Sequence, residues 1–265
     1  FPLISIAMLM AFYIYYKQNN IYLLLSIGFL FMGWAGEKRG IYFYLIGLII
    51  VAYLLYIKLG NRVYWKDIKG LLAIIILVPI LIYMAGRLTY TMNPDEVIGG
   101  GFDLNYLIQY AKNYSFKYST DGYAAGRLSG LIDVLFKVLN SDYKTTLFGY
   151  GLDSVIGMSD TDYVQYKFGV SSFLGINGFT TALVSIGFLG VLFSIIIYLF
   201  IAVVSFRYTK REQDPYWKSI GFGTLLITMV FFFDFLTYSR TFYHSIPLNI
   251  ALFYFFSIVI IKYNN

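Results

Sequence analysis

The chain has 265 residues, 59% hydrophobic and only 13% charged, with a mean hydropathy of +0.68. Soluble domains carry about a quarter charged residues, so this composition is that of an integral membrane protein. The absence of cysteine excludes disulfides, thiolate catalysis and Cys-ligated metal.

The net charge of +6 is unevenly spread. Residues 87–177 hold seven Lys/Arg against nine Asp/Glu, and the rest holds 13 against five. The basic excess therefore belongs to short segments between apolar runs, which is a topology signal and not a nucleic-acid patch. Aromatic residues make up 21%, with 27 Tyr and 25 Phe. They suit rings at lipid headgroups, and equally a biased codon usage. The chain opens at Phe1 on an apolar run without a charged leader, and reads as lacking earlier helices.

A spanning helix needs about 20 mostly apolar residues. Runs at 1–16, 21–35, 41–57 and 71–85 predict four spans within 1–86, the last kinked at Pro79. Residues 87–177 form a long polar excursion. Runs at 178–206, 220–236 and 246–261 predict three more spans within 178–265, with a basic linker over 207–218. The fold class expected is all-α, a polytopic membrane bundle with a large extracytoplasmic loop containing amphipathic helices. One set of alternate connections carries ten Lys/Arg (Lys17, four in 58–69, four in 207–218, Lys262) and the other only Lys38, Arg39 and Arg240. By the positive-inside rule the long loop lies outside the cytoplasmic membrane.

Within that loop, 90–101 is rich in turn residues, and 103–114 has Leu104, Leu107, Ile108 and Ala111 at helical spacing. Ser119-Thr120-Asp121-Gly122 reads as a capped turn. Residues 124–139 predict the clearest loop helix, with Leu128, Leu131, Ile132, Leu135 and Leu139 as its apolar stripe. Arg127 lies near its start, where free N–H groups and the positive dipole end favour phosphate oxygens. Arg127 either serves that role or pairs with an acid such as Asp121. Leu147-Phe148-Gly149-Tyr150-Gly151 reads as a tight turn, and Asn177-Gly178 as the return to the membrane.

Lys38, Arg39 and Arg240 sit on the side where positive charge is disfavoured. They either snorkel to headgroups or converge with Arg87 and Arg127 on one anionic substrate. No metal site is expected: Asp160-Thr161-Asp162 is a pair common in loops, and His244 is the one histidine. His244 lacks a Gly-x-Ser-x-Gly elbow and reads as an interfacial residue or a pocket-lining donor, with a general base as the alternative. What remains is charge stabilisation by arginines, whose planar forks bind phosphate bidentately and neutralise a departing diphosphate without a metal or other cofactor. Loop aromatics, Tyr123 among them, suit stacking on sugar rings.

The order of these pieces resembles the bacterial O-antigen polymerase and O-antigen ligase superfamily. Carrying the resemblance are Gly36-Glu37-Lys38-Arg39-Gly40, Gly126-Arg127 in a large loop, Gly149-Tyr150-Gly151, and Asn177 ahead of Gly187-Phe188-Leu189-Gly190. It covers roughly residues 30–205. It implies that Arg39 and Arg127 are the diphosphate-binding, catalytic arginines and that Asn177 lies at the substrate. The charge pattern and the loop residues, not the resemblance, add Lys38, Arg87, Tyr123, Arg240 and His244 as substrate-binding candidates. Ile176 stands where ligases of the family carry a base histidine, and Lys38 where they carry serine. Both departures favour a polymerase of undecaprenyl-diphosphate-linked repeat units for O-antigen, capsule or exopolysaccharide. The alternatives are a ligase moving finished glycan to a lipid or protein acceptor, and a lipid-linked glycan flippase. The implied partners are the polyprenyl-diphosphate-linked glycan, the bilayer and a chain-length regulator, with no nucleic acid.

Overall fold

The computed structural model describes residues 2–17, 20–35, 40–60, 79–80, 82–84, 86–116, 127–151, 177–237 and 246–264. Every regular element among them is helical. In chain order these are α1 (Pro2–Phe12), running into a π turn at Tyr13–Lys17, α2 (Asn20–Ala35) and α3 (Gly40–Lys58). After a 3₁₀ turn at Tyr90–Met92 come α4 (Leu104–Phe116), α5 (Arg127–Leu139) and α6 (Tyr143–Phe148). The chain ends with α7 (Gly178–Arg211), α8 (Pro215–Thr237) and α9 (Ile246–Asn264). Two of these, α7 and α8, are long and apolar enough to cross a membrane. Of the predicted span at 71–85, the described residues are helical.

Several helix starts follow from their capping chemistry. Asp103 accepts the N–H groups of Asn105 and Tyr106 and opens α4. Asp214 does the same for Tyr216 and Trp217, ahead of Pro215 at the first helical position, where its missing N–H costs nothing. The basic linker expected over 207–218 is mostly helix: α7 continues through Arg211 before the turn at 212–214. Lys and Arg are good helix formers, and Lys210 and Arg211 in the last turn suit the negative end of the dipole.

The chain divides into two compact units, one of residues 1–107, 200–230 and 248–265, the other of 108–199 and 231–247. In the first, α1 buries Ala7 and Ala11, one turn apart, and a Cβ on Gly223 of α8 would meet Met8 and Ala11. Small residues thus let two helices approach closely. One end of this unit is lined by rings: Phe12 packs on Tyr16, Tyr22 and Tyr216, and Tyr15 on Tyr56 and Phe222.

The polarity of α7 is inverted relative to a water-soluble helix. Leu189, Leu192, Phe193, Ile196, Leu199, Phe200 and Val203 form an outward stripe, Phe193 at 64% exposure. Its buried side carries Ser194 and Thr209, whose hydroxyls donate to the carbonyls four residues back. In α8, Ser219, Thr224 and Thr228 are buried and bonded in the same way.

The apolar stripe expected on α5 is displaced. Val134 and Val138 are the fully buried residues, while Ile132, Phe136 and Leu139 are exposed. Apolar residues occupy most of that helix's circumference, so spacing alone does not select which of them faces inward.

Candidate functional site

In the second unit, a turn of the loop is fastened to a break in α7. The turn begins with α6, whose Asp142 cap accepts the Thr145 N–H at 3.0 Å and the Thr145 hydroxyl at 2.7 Å. Those two bonds hold the Asp142 carboxyl below the ordinary carboxylate range. Behind it, the Ser141 and Thr146 hydroxyls both donate to the Val138 carbonyl, tying α6 to the end of α5. Gly149 ends α6 at φ 74°, its N–H donating to the Thr145 carbonyl.

The next two N–H groups leave the turn for another element. Tyr150 N–H donates to the Val184 carbonyl at 2.7 Å, and Gly151 N–H to the Ser185 carbonyl at 3.0 Å. In a continuous helix those carbonyls would be taken by residues 188 and 189. They are released because α7 breaks at Gly187, where φ is 65° and ψ −169°, a conformation essentially confined to glycine. The Gly149-Tyr150-Gly151 backbone supplies the donors that the break removes. Contact is backbone to backbone. A Cβ on Gly149 would lie 2.6 Å from the Gly187 and Ile186 nitrogens, and one on Gly187 would collide with the Leu147 carbonyl.

The break folds the chain back. Phe179, before Gly187, and Tyr198, after it, both pack on Phe235 of α8, at centroid distances of 6.1 and 5.9 Å. Their rings are therefore no more than about 12 Å apart, whereas a straight helix would separate residues 179 and 198 by roughly 28 Å. The predicted fifth span is thus two arms, residues 178–186 and 188–211.

The first arm is opened by Asn177, which is 2% exposed. Its Oδ1 accepts the Thr180 N–H at 2.8 Å, and its own N–H donates to Thr180 Oγ1 at 2.9 Å. This is a reciprocal cap with threonine in the place usually taken by Glu or Gln. Thr181 Oγ1 adds a bond to the Asn177 carbonyl. Ser185 Oγ, two residues before the break, is buried with no hydrogen-bond partner among the described residues.

Arg127 is the first residue of α5; its side chain is outside the described part, as are Gly126 and residues Lys38, Arg39, Tyr123, Arg240 and His244. Arg87 belongs to the other unit and clasps its own loop. Its Nε donates to the Gly100 carbonyl at 2.9 Å, one terminal nitrogen to the Gly99 carbonyl at 2.8 Å, and the other to the Tyr83 hydroxyl at 3.1 Å. The Gly99 N–H returns a bond to the Arg87 carbonyl, and buried Asn93 bonds Thr89 and Val97. Sequence reading missed Gly187 as a break and Thr180 as the cap partner of Asn177. The glycine pair Gly187 and Gly190 inside an apolar run was the available signal for the first.

Comparison with family models, with curated proteins and with solved structures finds no match.

Proposed function

We propose that the chain is a membrane glycosyltransferase that polymerises undecaprenyl-diphosphate-linked oligosaccharide repeats. It is a polytopic bundle of the bacterial cytoplasmic membrane with the 87–177 loop outside. An acceptor hydroxyl displaces the polyprenyl diphosphate from the anomeric carbon, and Arg39 and Arg127 neutralise the charge that develops on the leaving group. The observation that carries this reading is the junction at Gly187. The Gly149-Tyr150-Gly151 turn and the Asn177-to-Gly190 segment, singled out in the sequence as separate parts of one pattern, are bonded to each other. Membrane placement is supported by the outward apolar stripe of α7, its hydroxyl-lined inner side and the ring-lined end of the first unit.

The test is a gel of surface and lipid-linked glycan from cells lacking the intact gene, complemented with wild type, Arg39→Ala or Arg127→Ala at matched expression. The expected result is a ladder that collapses to single repeat units in the deletion and in both variants. Normal chain length in the variants overturns the arginine assignment. Full-length glycan stranded on the polyprenyl carrier replaces the polymerase with a ligase.

A second reading, the lipid-linked glycan flippase, gains from the same break, because discontinuous helices line transporter pathways. Against it, Asp234 is the single carboxylate within the described apolar helices, whereas transport pathways carry several charges within their helices. Intermediates accumulating on the cytoplasmic face would favour this reading.

A further inference from the structure

At the ring-lined end of the first unit, cations sit on rings instead of on carboxylates. Lys262 Nζ lies 4.5 Å from the centre of the Trp217 ring, Arg211 Cζ 5.0 Å from Tyr263, and Lys218 Nζ 5.3 Å from Tyr15. Chain adjacency links these pairs into one row, since Tyr263 follows Lys262 and Lys218 follows Trp217. Lys58 reaches the same end over Phe206 at 6.0 Å. Beneath the row, Trp217 and Tyr263 pack against the cluster of Tyr208, Ile220 and Val259, so the rings are fixed.

The described carboxylates here, Glu212 and Asp214, are engaged with other groups. Glu212 accepts the Tyr208 hydroxyl and the N–H groups of Gln213 and Asp214, and Asp214 caps α8. Among the described residues, Lys58, Arg207, Lys210, Arg211, Lys218 and Lys262 form no ion pair with a carboxylate. Among the described residues, six cations therefore face two committed acids. A ring face stabilises a cation without neutralising it, so the row holds its positive charge in place at the end of apolar helices. This is the arrangement that attracts phosphate groups fixed in the plane of a membrane surface.

We infer that Arg211, Lys218 and Lys262, held by Tyr263, Tyr15 and Trp217, bind the headgroup phosphates of anionic phospholipids in the leaflet at this end of the protein. The row uses none of the residues assigned to the glycan and is independent of the polymerase reading; it requires only that the apolar helices cross a bilayer. Rings lie at headgroup level beside the cations, which an isolated basic patch in water would not need.

The test uses the full chain in detergent, titrated with phosphatidylglycerol, phosphatidylcholine or inorganic phosphate while its thermal unfolding is followed. Phosphatidylglycerol is expected to raise the unfolding midpoint and phosphatidylcholine to leave it unchanged. Each cation contributes about fivefold in affinity, so the Arg211→Gln, Lys218→Gln, Lys262→Gln variant should lose on the order of a hundredfold. The single variant Lys262→Arg, which keeps charge and ring contact, should respond as wild type and guards against a misfolded triple variant. Equal responses to the two lipids overturn the inference, as does an undiminished response in the triple variant. Stabilisation by inorganic phosphate at the same phosphate concentration would mean a free-anion site and would also overturn it. Release of the chain from membranes by alkaline wash would remove its premise.

Discussion

Replacing Gly187 by alanine probes the junction directly. At φ 65° and ψ −169° a residue with a Cβ costs about 1–3 kcal/mol in backbone strain. The new methyl would also collide with the Leu147 carbonyl and approach Gly149 N, at 2.6 Å. Relief requires parting the two segments, which forfeits the Tyr150-to-Val184 and Gly151-to-Ser185 bonds at about 0.5–1.5 kcal/mol each. The combined cost is on the order of 2–6 kcal/mol, or a fall in Tm on the order of 10 °C. Gly149→Ala meets the same backbone and should match it. Gly151→Ala, at φ 102° but facing open space, should carry the strain alone. Gly47→Ala, within α3 and unobstructed, should be neutral or stabilising by about 1 kcal/mol. The assay is thermal unfolding of the four purified variants. Because Gly149 and Gly187 share one contact, the double variant should cost less than the two singles combined. If Gly187→Ala melts with Gly47→Ala, the break is not the tightly packed junction described and the reasoning fails.

Other expectations concern the caps and clasps. Asn177→Ala should lose about 0.5–2 kcal/mol and Asn177→Asp almost none; full activity in Asn177→Asp would assign Asn177 to capping alone, and lost activity at unchanged Tm would assign its carboxamide to the substrate. Arg87→Lys removes the fork, so limited proteolysis within 93–101 should speed up; if protection persists while glycan chains shorten, Arg87 serves the substrate. Ser185→Ala removes a buried hydroxyl without a partner among the described residues, so its Tm should hold or rise, and a drop of more than about 1 kcal/mol would contradict that burial. Asp142, with its carboxyl titrating below the ordinary value, stabilises α6 fully above about pH 4 and loses that contribution as pH falls further. The protection of the Thr145 amide, relative to its intrinsic exchange rate at each pH, should fall there, and Asp142→Asn should lack the pH step.

Helix positions were legible where apolar runs met capping residues. Asp103 before Leu104 and Asn177 before Gly178 mark starts that local chemistry dictates, whereas the start at Pro215 after Asp214 fell inside the stretch taken as a linker. The linker was misread because Arg207, Lys210 and Arg211 are charged yet helix-favouring, and charge at a span's end does not itself stop a helix. The break at Gly187 escaped because apolar residues continue on both sides, and periodicity does not register one residue's dihedral angles. The buried side of α5 escaped because Ile132 and Val134 are equally apolar, and only packing chooses between them. At the site, Gly149-Tyr150-Gly151 was seen as a turn, but its partner lies 34 residues further on at Val184, a pairing no local pattern encodes. The fork of Arg87 likewise closes on carbonyls 12 and 13 residues away.

The break in α7 also bears on how this segment fits a bilayer. A helix of 34 residues would be about 51 Å long if straight, against a hydrocarbon thickness of about 30 Å. Such a hydrophobic mismatch would demand a steep tilt or a thickened bilayer. Folding at Gly187 leaves residues 188–211, about 36 Å, which tilt modestly, while residues 178–186 need not span at all. In a bilayer, a change in thickness would then fall on the tilt of the longer arm and leave the glycine junction out of the mismatch that an unbroken helix would meet.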